Sequence, residues 1–379
     1  MEHDAFRSQV LQTCGASPDV AGELLAYNEN PFTSASRLPP AFPLPDEPHI
    51  ESWLAYEADA REAGAFEALR RRFVQLRFPI QAGISTEDAY RAATLRGLFA
   101  EADRFSPGVI LRRPSALDLV VHPTMAGRVP VLVVEDREDF VALVQAFSER
   151  NEPAPVPDAM GACIVTGLNN WDRIASYRAA WALAQGDAAS AEAWAEEFQR
   201  LVPRKERYQD RFIMLSRGPY SATSAREAGL DEPEWLARSI VIRREHEFTH
   251  YFTYRVFGVM RNNILDELVA DFVGLVRAFG RYPADLALRV LGLESFPRYR
   301  PGGRLECYRG RPALSDEAFD VLGRLTFQAV QNLERLAATD RDLLQDLGGL
   351  ARVTFALVGL TLEELASSEM LLRAAARLG

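Results

Sequence analysis

The sequence lacks the features of a membrane or secreted protein. It contains no run of about 18 consecutive apolar residues, the length that a helix needs to cross a bilayer. Residues 1–8 include no apolar core of the kind that a secretory signal requires. The three cysteines, Cys14, Cys163 and Cys307, have neither metal-site spacing nor an even number. We therefore expect a protein of a reducing compartment, located in the cytoplasm and without a membrane partner.

Basic residues are outnumbered by acidic ones. The formal net charge is −10 at pH 7, and the isoelectric point is near 5.2. This charge disfavours nucleic acids and anionic membranes as partners, because both repel an acidic surface. The apolar content of 48% permits a substantial core. Over this length we expect a helical N-terminal region at 1–110, an α+β region with a small sheet at 111–222, and a helical region at 223–379.

Histidine is scarce as well, so two histidines close together in the sequence are rarely a coincidence. Of five histidines, His246 and His250 lie four residues apart in the segment HEFTH. On a helix this spacing puts both imidazoles on one face, about 40° apart around the axis, where both can reach one divalent metal ion. Glu247 is adjacent and can approach a water molecule on that metal. The HExxH pattern therefore predicts a metal site with a general base beside it.

A second segment supplies a candidate third ligand. The sequence DELVAD at 266–271 lies on another helical pattern, at a distance that lets the chain turn back. Glu267 offers a carboxylate, and Asp271 lies one helical turn further along the same stripe. Gly274 and Ala278 continue that stripe. Their small side chains would allow the two helices to approach closely, as Glu267 requires if it is to share a metal with the histidines.

Together the two segments resemble the gluzincin group of zinc metallopeptidases, which includes thermolysin-like and aminopeptidase-like enzymes. The resemblance covers about residues 235–280, and the 16 residues between His250 and Glu267 are slightly fewer than is usual in that group. It implies one set of zinc ligands: His246, His250 and Glu267. It also implies that Glu247 is the general base and that Asp271 orients a histidine ligand.

The resemblance further implies a donor for the oxyanion that forms during peptide hydrolysis. Gluzincins use a downstream Tyr or His, and no histidine follows His250 in this chain. The candidate donors are two tyrosines of the Arg-rich loop at 295–312: Tyr299 and Tyr308. The candidate substrate-binding residues are three arginines of that loop: Arg298, Arg300 and Arg304. Guanidinium groups pair well with carboxylates and phosphates. A solvated basic loop is the alternative.

The rest of the sequence predicts an α+β fold that is mostly helical. Short β-branched runs at 117–121, 129–134, 162–166 and 211–216 predict a small mixed sheet, and a long amphipathic pattern covers about 51–76. By the same resemblance we expect a zincin-like core with a central HExxH helix, flanked by N- and C-terminal helices. The run at 211–216 is then a candidate substrate-facing edge strand, with an ordinary core strand as the alternative.

Three functions fit these residues. The first is a zinc-dependent hydrolase that cleaves an amide or peptide bond with metal-activated water. The second is a non-haem iron enzyme that modifies a small molecule or peptide, because two histidines and one carboxylate are also the Fe²⁺ ligand set of such enzymes. The third is a non-enzymatic binding protein that a metal stabilises. The expected partner is a peptide or small-molecule substrate, and the sequence leaves its identity open.

Overall fold

The computed structural model describes residues 2–34, 41–260, 263–339 and 341–377. This part of the chain is mostly helical (61%) and contains a small mixed sheet of four strands. The predicted α+β class is therefore confirmed. None of the helices in the described ranges combines the length and the apolar character that crossing a membrane requires.

The secondary-structure elements alternate little, and most helices follow one another directly. The α-helices are α1 (Glu2–Thr13), α2 (Pro18–Tyr27), α3 (Ile50–Ala63), α4 (Ala65–Arg72), α5 (Asp88–Arg96), α6 (Arg137–Phe147), α7 (Trp171–Gln185), α8 (Ala191–Leu201), α9 (Ala225–Ala228), α10 (Glu232–Phe257), α11 (Ile264–Phe279), α12 (Ala284–Leu291), α13 (Asp316–Thr339), α14 (Leu347–Val358), α15 (Leu362–Ala366) and α16 (Met370–Arg377). The strands are β1 (Asp118–Thr124), β2 (Gly127–Val134), β3 (Ala162–Asn169) and β4 (Gln209–Ser216).

The described residues group into two compact units. Unit 1 takes its residues from Met1–Pro45, Thr124–Ala126 and Pro219–Gly379, and unit 2 from Asp46–Pro123 and Gly127–Gly218. The units cut across the three regions expected from the sequence. The chain leaves unit 1 after Pro45, returns to it briefly at Thr124–Ala126, and rejoins it at Pro219. Helices α3 to α5 therefore group with the sheet and not with α1 and α2.

Unit 2 contains the sheet, whose strand order is β1-β2-β4-β3. Strand β4 runs parallel to β2, with Ile213 opposite Val131, and antiparallel to β3, with Ile213 opposite Ile164. All four predicted strands are present. The prediction of an edge strand at 211–216 is wrong, since β2 and β3 flank β4 on both sides. The alternative, a core strand, is confirmed.

Aromatic side chains fill the core of unit 2. Trp53 of α3 lies 4.9 Å from Phe212 of β4, and Phe147 of α6 lies 5.2 Å from the same ring, measured between ring centroids. The single helix expected over about 51–76 is instead the pair α3 and α4. The break falls at Gly64, where φ is +84°, a value that glycine adopts without steric cost.

Unit 1 contains the two motif helices, and their ends follow from local sequence signals. The Asp231 side chain accepts a hydrogen bond from Glu234 N at 2.8 Å and so caps α10. Asn263 caps α11 in the same way through Asp266 N, at 3.0 Å. Each helix ends at a left-handed glycine, Gly258 in α10 and Gly280 in α11.

The close approach of α10 and α11 depends on Gly274. A Cβ atom at that position would lie 2.7 Å from Ile242 O and 3.1 Å from Ile242 Cγ2. Any larger residue would therefore push the helices apart. The other small residue of the stripe also lies at the contact, since Ala278 O accepts a hydrogen bond from Arg238 Nη1 at 2.5 Å. The packing role predicted for these small residues thus agrees with the helix contact.

Candidate metal site

The three predicted ligands converge in unit 1. One ligand atom from each of His246, His250 and Glu267 lies within 4.8 Å of the other two. The residues are buried, with exposed fractions of 7%, 7% and 8%. Helix α10 supplies both imidazoles from one face, and α11 brings the carboxylate across the contact at Gly274. The cluster is compatible with metal binding, and the geometry does not identify the metal.

Pairwise distances within the cluster fit a small cation. The two Nε2 atoms of His246 and His250 are 3.0 Å apart. Glu267 Oε2 is 3.5 Å from His246 Nε2, and Glu267 Oε1 is 3.6 Å from His250 Nε2. Ligand atoms at zinc distances of about 2.0–2.2 Å on a tetrahedron are roughly 3.3–3.6 Å from one another. The separations in the cluster are therefore near those that a tetrahedral ion requires.

The second nitrogen of His246 has two neighbours. Its Nδ1 lies 2.9 Å from Asp271 Oδ1 and 3.1 Å from Tyr220 Oη. For Nε2 to face a metal, Nδ1 must carry the hydrogen, and Asp271 is the acceptor that fixes this tautomer. Asp271 thus lies within hydrogen-bond distance of a predicted ligand, and its orienting role stays a prediction.

The second nitrogen of His250 faces a different carboxylate. Its Nδ1 lies 3.2 Å from Oδ2 of Asp266, which is fully buried. Burial opposes protonation of this imidazole, but the negative charges of Asp266, Glu267 and Glu247 outweigh it and raise the pKa of His250 to about 10. In the metal-free protein at neutral pH, His250 is therefore an imidazolium cation with a hydrogen on each ring nitrogen. A metal that binds Nε2 would displace the hydrogen on that nitrogen.

Asp271 is held by more than the histidine. Its Oδ1 accepts a hydrogen bond from Tyr220 Oη at 2.5 Å, and its Oδ2 forms an ion pair with Arg304 Nη2. Burial alone would raise the pKa of this carboxyl, but Arg304, His246 and Tyr220 lower it to about 2. Asp271 thus remains an anion across the physiological pH range.

Tyr220 links the histidine, the carboxylate and the arginine. It follows Pro219 in a short 3₁₀ turn, where its backbone N–H donates to Ser239 Oγ of α10 at 3.0 Å. Its hydroxyl oxygen accepts a hydrogen bond from Arg304 Nη1 at 2.9 Å. Burial raises the pKa of this phenol well above its ordinary value, so it stays a donor. The next residue, Ser221, has φ of +50°, an uncommon conformation for a non-glycine residue that often marks functional sites.

The carboxylate ligand also has a partner of its own. The Tyr308 hydroxyl donates a hydrogen bond to Glu267, and burial together with this carboxylate raises the pKa of Tyr308 far above the ordinary value. The Tyr308 backbone oxygen in turn accepts a hydrogen bond from Tyr27 Oη of α2. Tyr308 therefore lies at the candidate metal site, where it contacts the predicted ligand Glu267. Its role as oxyanion donor stays a prediction.

Arg304 and Tyr308 come from one 3₁₀ helix, Arg304–Tyr308. Arg304 contacts Asp271, and Tyr308 contacts Glu267, which lies four residues earlier on α11. The two segments therefore run antiparallel beside each other. Of the three arginines predicted to bind substrate, Arg304 is occupied by Asp271, Tyr220 and Ser221. Its contacts are those of a residue that positions the ligands.

The remaining loop residues point to other partners. Tyr299 Oη donates to Gly303 O at 2.6 Å, a bond within its own loop. Arg300 is exposed and bonds to Glu294 Oε1 at 2.6 Å and to Arg289 O at 2.7 Å. Arg298 is exposed and joins the loop through a backbone bridge to Ser295. For these three, the substrate and donor roles stay predictions.

Glu247 is half-buried beside the ligands, and its charge acts on His250. Two further residues of the site, Asp266 and Tyr220, were missed by the sequence reasoning. Asp266 could have been found, since two histidine ligands need two acceptors and the DELVAD segment offers two aspartates. Tyr220 had no such signal, because it reaches the site from a loop 26 residues before His246.

The chain belongs to the family described as "Family of unknown function (DUF7005)", whose profile it matches over residues 9–369. The match covers nearly the whole chain, both units included. The comparisons with curated proteins and with solved structures gave no match.

Proposed function

We propose that this protein is a zinc-dependent hydrolase that cleaves an amide or peptide bond with water activated at His246, His250 and Glu267. The observation that supports this most is the convergence of these three side chains, each with a separate second partner. Supported ligands of this kind are typical of sites that must hold a metal in a fixed geometry.

The donor set suits zinc and a catalytic role. Imidazole and carboxylate ligands are those of catalytic zinc sites, and three protein ligands leave a fourth tetrahedral position for water or substrate. Zinc bound here would lower the pKa of a water molecule toward about 7 and polarise the substrate carbonyl. The same donor set also accepts Fe²⁺, so the metal itself has to be measured.

The protein residues around the three ligands would transfer protons and orient the histidines. Glu247 follows His246 on α10, is half-buried, and is near enough to His250 for its charge to act on that imidazole. The Glu247 carboxylate would accept a proton from the activated water molecule and donate it to the leaving nitrogen. Asp271 and Asp266 keep hydrogen on the Nδ1 atoms of His246 and His250, so that both Nε2 atoms face inward.

A gluzincin-like arrangement is proposed for the two motif helices alone. Strand β4 is flanked on both sides and offers no free edge to a peptide. A peptide substrate would therefore need a backbone partner other than β4. The exposed arginines Arg298 and Arg300 are candidates to pair with a carboxylate or phosphate of the substrate.

The metal is tested by elemental analysis of protein purified with and without oxygen. We expect about one zinc per chain under both conditions, lost in His246→Ala. Stoichiometric iron in the anaerobic preparation, with activity that does not depend on zinc, would favour the non-haem iron enzyme instead. A third outcome, in which the protein binds neither zinc nor iron, would contradict the proposed site.

The reaction is tested with a mixed peptide library analysed by mass spectrometry. We expect zinc-dependent cleavage by the wild type and a loss of at least about 100-fold in Glu247→Gln, because proton transfer contributes roughly that factor or more. Glu232→Gln, an equivalent change in the exposed first turn of α10, is the control. If Glu247→Gln retains zinc and full function while His246→Ala fails to fold, the metal is structural and the protein is not an enzyme of this kind.

A further inference from the structure

A second candidate site lies in unit 2, in a cavity of about 440 Å³. Its walls come from α5, from the end of α6 and from the second half of β3. The volume falls within the range of about 300–1,000 Å³ that is typical of small-molecule sites. All of its lining residues belong to unit 2, whereas the metal ligands belong to unit 1. An inference about this cavity therefore does not depend on the proposed hydrolase function.

Two exposed arginines line the cavity, and the charge of one of them, Arg150, lowers the pKa of the neighbouring Glu152. Arg91 of α5 and Arg150, which follows α6, both contribute to its wall. Within the described residues, neither guanidinium donates a hydrogen bond or joins an ion pair. Burial raises the pKa of Tyr90, another lining residue, and the positive charge of Arg150 partly offsets this rise. In a chain with a net charge of −10, two unpaired guanidinium groups at one cavity favour an anionic ligand.

A buried acceptor without a donor lines the same cavity. Gln75 is only 5% exposed, and its Oε1 has no hydrogen-bond partner among the described residues. Buried polar atoms are rarely left without a partner, because desolvation without a compensating hydrogen bond is unfavourable. Because this oxygen is shielded from solvent, an N–H or O–H group of a ligand would supply the missing donor once the amide turns toward the cavity.

The backbone beside the cavity is held in an uncommon conformation. Arg150 and Asn151 have φ values of +54° and +61°, although neither is glycine. The fully buried Asn151 maintains this turn, since its Nδ2 donates to Gln75 O and to Phe78 O at 3.0 Å each. Backbone strain that the surroundings maintain in this way is concentrated at binding sites. Here it fixes the point from which the Arg150 side chain reaches the cavity.

The part of the wall formed by β3 carries a second irregularity. The register of β3 against β4 shifts between Val165 and Leu168, and Gly167 has φ of +71°. Thr166, Gly167 and Leu168 all line the cavity. A bulge of this kind redirects side chains and is common beside functional sites. Two irregular backbone segments therefore border the cavity.

We infer that this cavity binds a small carboxylate- or phosphate-bearing molecule, whose anionic group pairs with Arg91 and Arg150 and whose hydrogen-bond donor reaches Gln75. The charged pair selects the anion, and the amide oxygen selects a ligand with a neighbouring O–H or N–H group.

Isothermal titration calorimetry of the full chain at constant ionic strength tests the charged pair. The probes are inorganic phosphate and glycolate, which distinguish a phosphate ligand from a carboxylate ligand. We expect saturable binding of at least one probe, weakened about tenfold or more in Arg91→Gln/Arg150→Gln. The control, Arg61→Gln/Arg96→Gln, removes the same charge from exposed positions of unit 2. No saturable binding of either probe, or equal binding by the two double variants, would overturn the inference.

A second comparison tests Gln75. Glycolate and acetate share a carboxylate, but only glycolate carries a hydroxyl donor. We expect the wild type to bind glycolate several-fold more tightly than acetate, and Gln75→Met to lose this preference, since one hydrogen bond contributes about 0.5–1.5 kcal/mol. Circular dichroism shows whether Gln75→Met folds. If it does not fold, the calorimetric comparison of the two double arginine variants alone tests whether the cavity binds an anion. A preference that persists in folded Gln75→Met would contradict the assignment of the donor.

Discussion

Asp271 and Arg304 form an ion pair behind the candidate metal site, with side chains that are 3% and 17% exposed. Asp271 is the acceptor for His246, and Arg304 begins the 3₁₀ helix that also carries Tyr308. The pair therefore connects a ligand on α10, a carboxylate on α11 and a loop some 30 residues further on. A substitution of Arg304 should therefore change the affinity for the metal, although Arg304 is not one of the predicted ligands.

Replacing Arg304 with glutamine should weaken zinc binding about 10- to 100-fold, the range for residues that support metal ligands. It should also lower the free energy of unfolding by about 3 kcal/mol, because Asp271 would be left as a buried charge without its cation. Competition with a fluorescent zinc chelator measures the first effect, and urea denaturation the second. Arg304→Lys should recover part of both.

The control for this change is Arg300→Gln, from the same loop. Arg300 is exposed and bonds to Glu294 and Arg289, so zinc affinity should remain within about twofold of the wild type. Equal zinc affinities for Arg304→Gln and Arg300→Gln would show that the ion pair with Asp271 does not support the metal.

The partner of His250 gives a second prediction. Asp266→Ala removes the acceptor on Nδ1, so that the imidazole can adopt the tautomer with hydrogen on the inward-facing Nε2. Because Asp266 also raises the pKa of His250, its removal weakens proton competition. We therefore expect the zinc affinity corrected for that competition to fall about 10- to 100-fold. Asp320→Ala, at an exposed position of α13, should leave the affinity unchanged. A corrected zinc affinity in Asp266→Ala that equals the control would remove Asp266 from the site.

Much of this site could be predicted from the sequence, because its strongest signals are local. HExxH fixes two imidazoles on one helix face, and DELVAD places Glu267 and Asp271 on one stripe. The caps at Asp231 and Asn263 are also local signals. These features need only helical periodicity and hydrogen bonding within one turn.

The remaining features depend on contacts between distant parts of the chain. The sequence predicts that Arg304 binds substrate, because a guanidinium in a loop suits a carboxylate, but it cannot show that Arg304 also pairs with Asp271. Tyr220 approaches from a loop with no motif of its own. Likewise, β4 has the composition of a strand, but only the pairing with β2 and β3 decides that it is internal.

The pH dependence of metal binding follows from His250. Its pKa of about 10 in the metal-free protein lies above the ordinary value of about 6.5. Because zinc binds only the neutral imidazole, protons compete with zinc below pH 10, and the competition weakens as pH rises. Apparent zinc affinity should therefore increase about tenfold per pH unit between pH 6 and 8.5, with release of about one proton. Calorimetry in buffers of different ionisation enthalpy counts that proton, and a value near zero at pH 8 would contradict the prediction.

Helix contact supplies a prediction about Gly274. A Cβ there would lie 2.7 Å from Ile242 O, so Gly274→Ala should separate α10 from α11 and destabilise the protein by about 1–3 kcal/mol. Zinc affinity should fall as well, because Glu267 would move away from the histidines. Gly22→Ala is the matched control in α2, where an added Cβ meets no atom within 4 Å. That change should be neutral or stabilise by up to about 1 kcal/mol. Similar unfolding free energies for both variants would argue against the close contact.

The most direct test of the metal site is a crystal structure of the zinc-loaded protein with anomalous data at the zinc edge. We predict one anomalous peak at about 2.0–2.2 Å from Nε2 of His246, Nε2 of His250 and one carboxylate oxygen of Glu267. A zinc peak elsewhere in the molecule, or a Glu267 carboxylate turned away from the two imidazoles in the loaded crystal, would contradict the account.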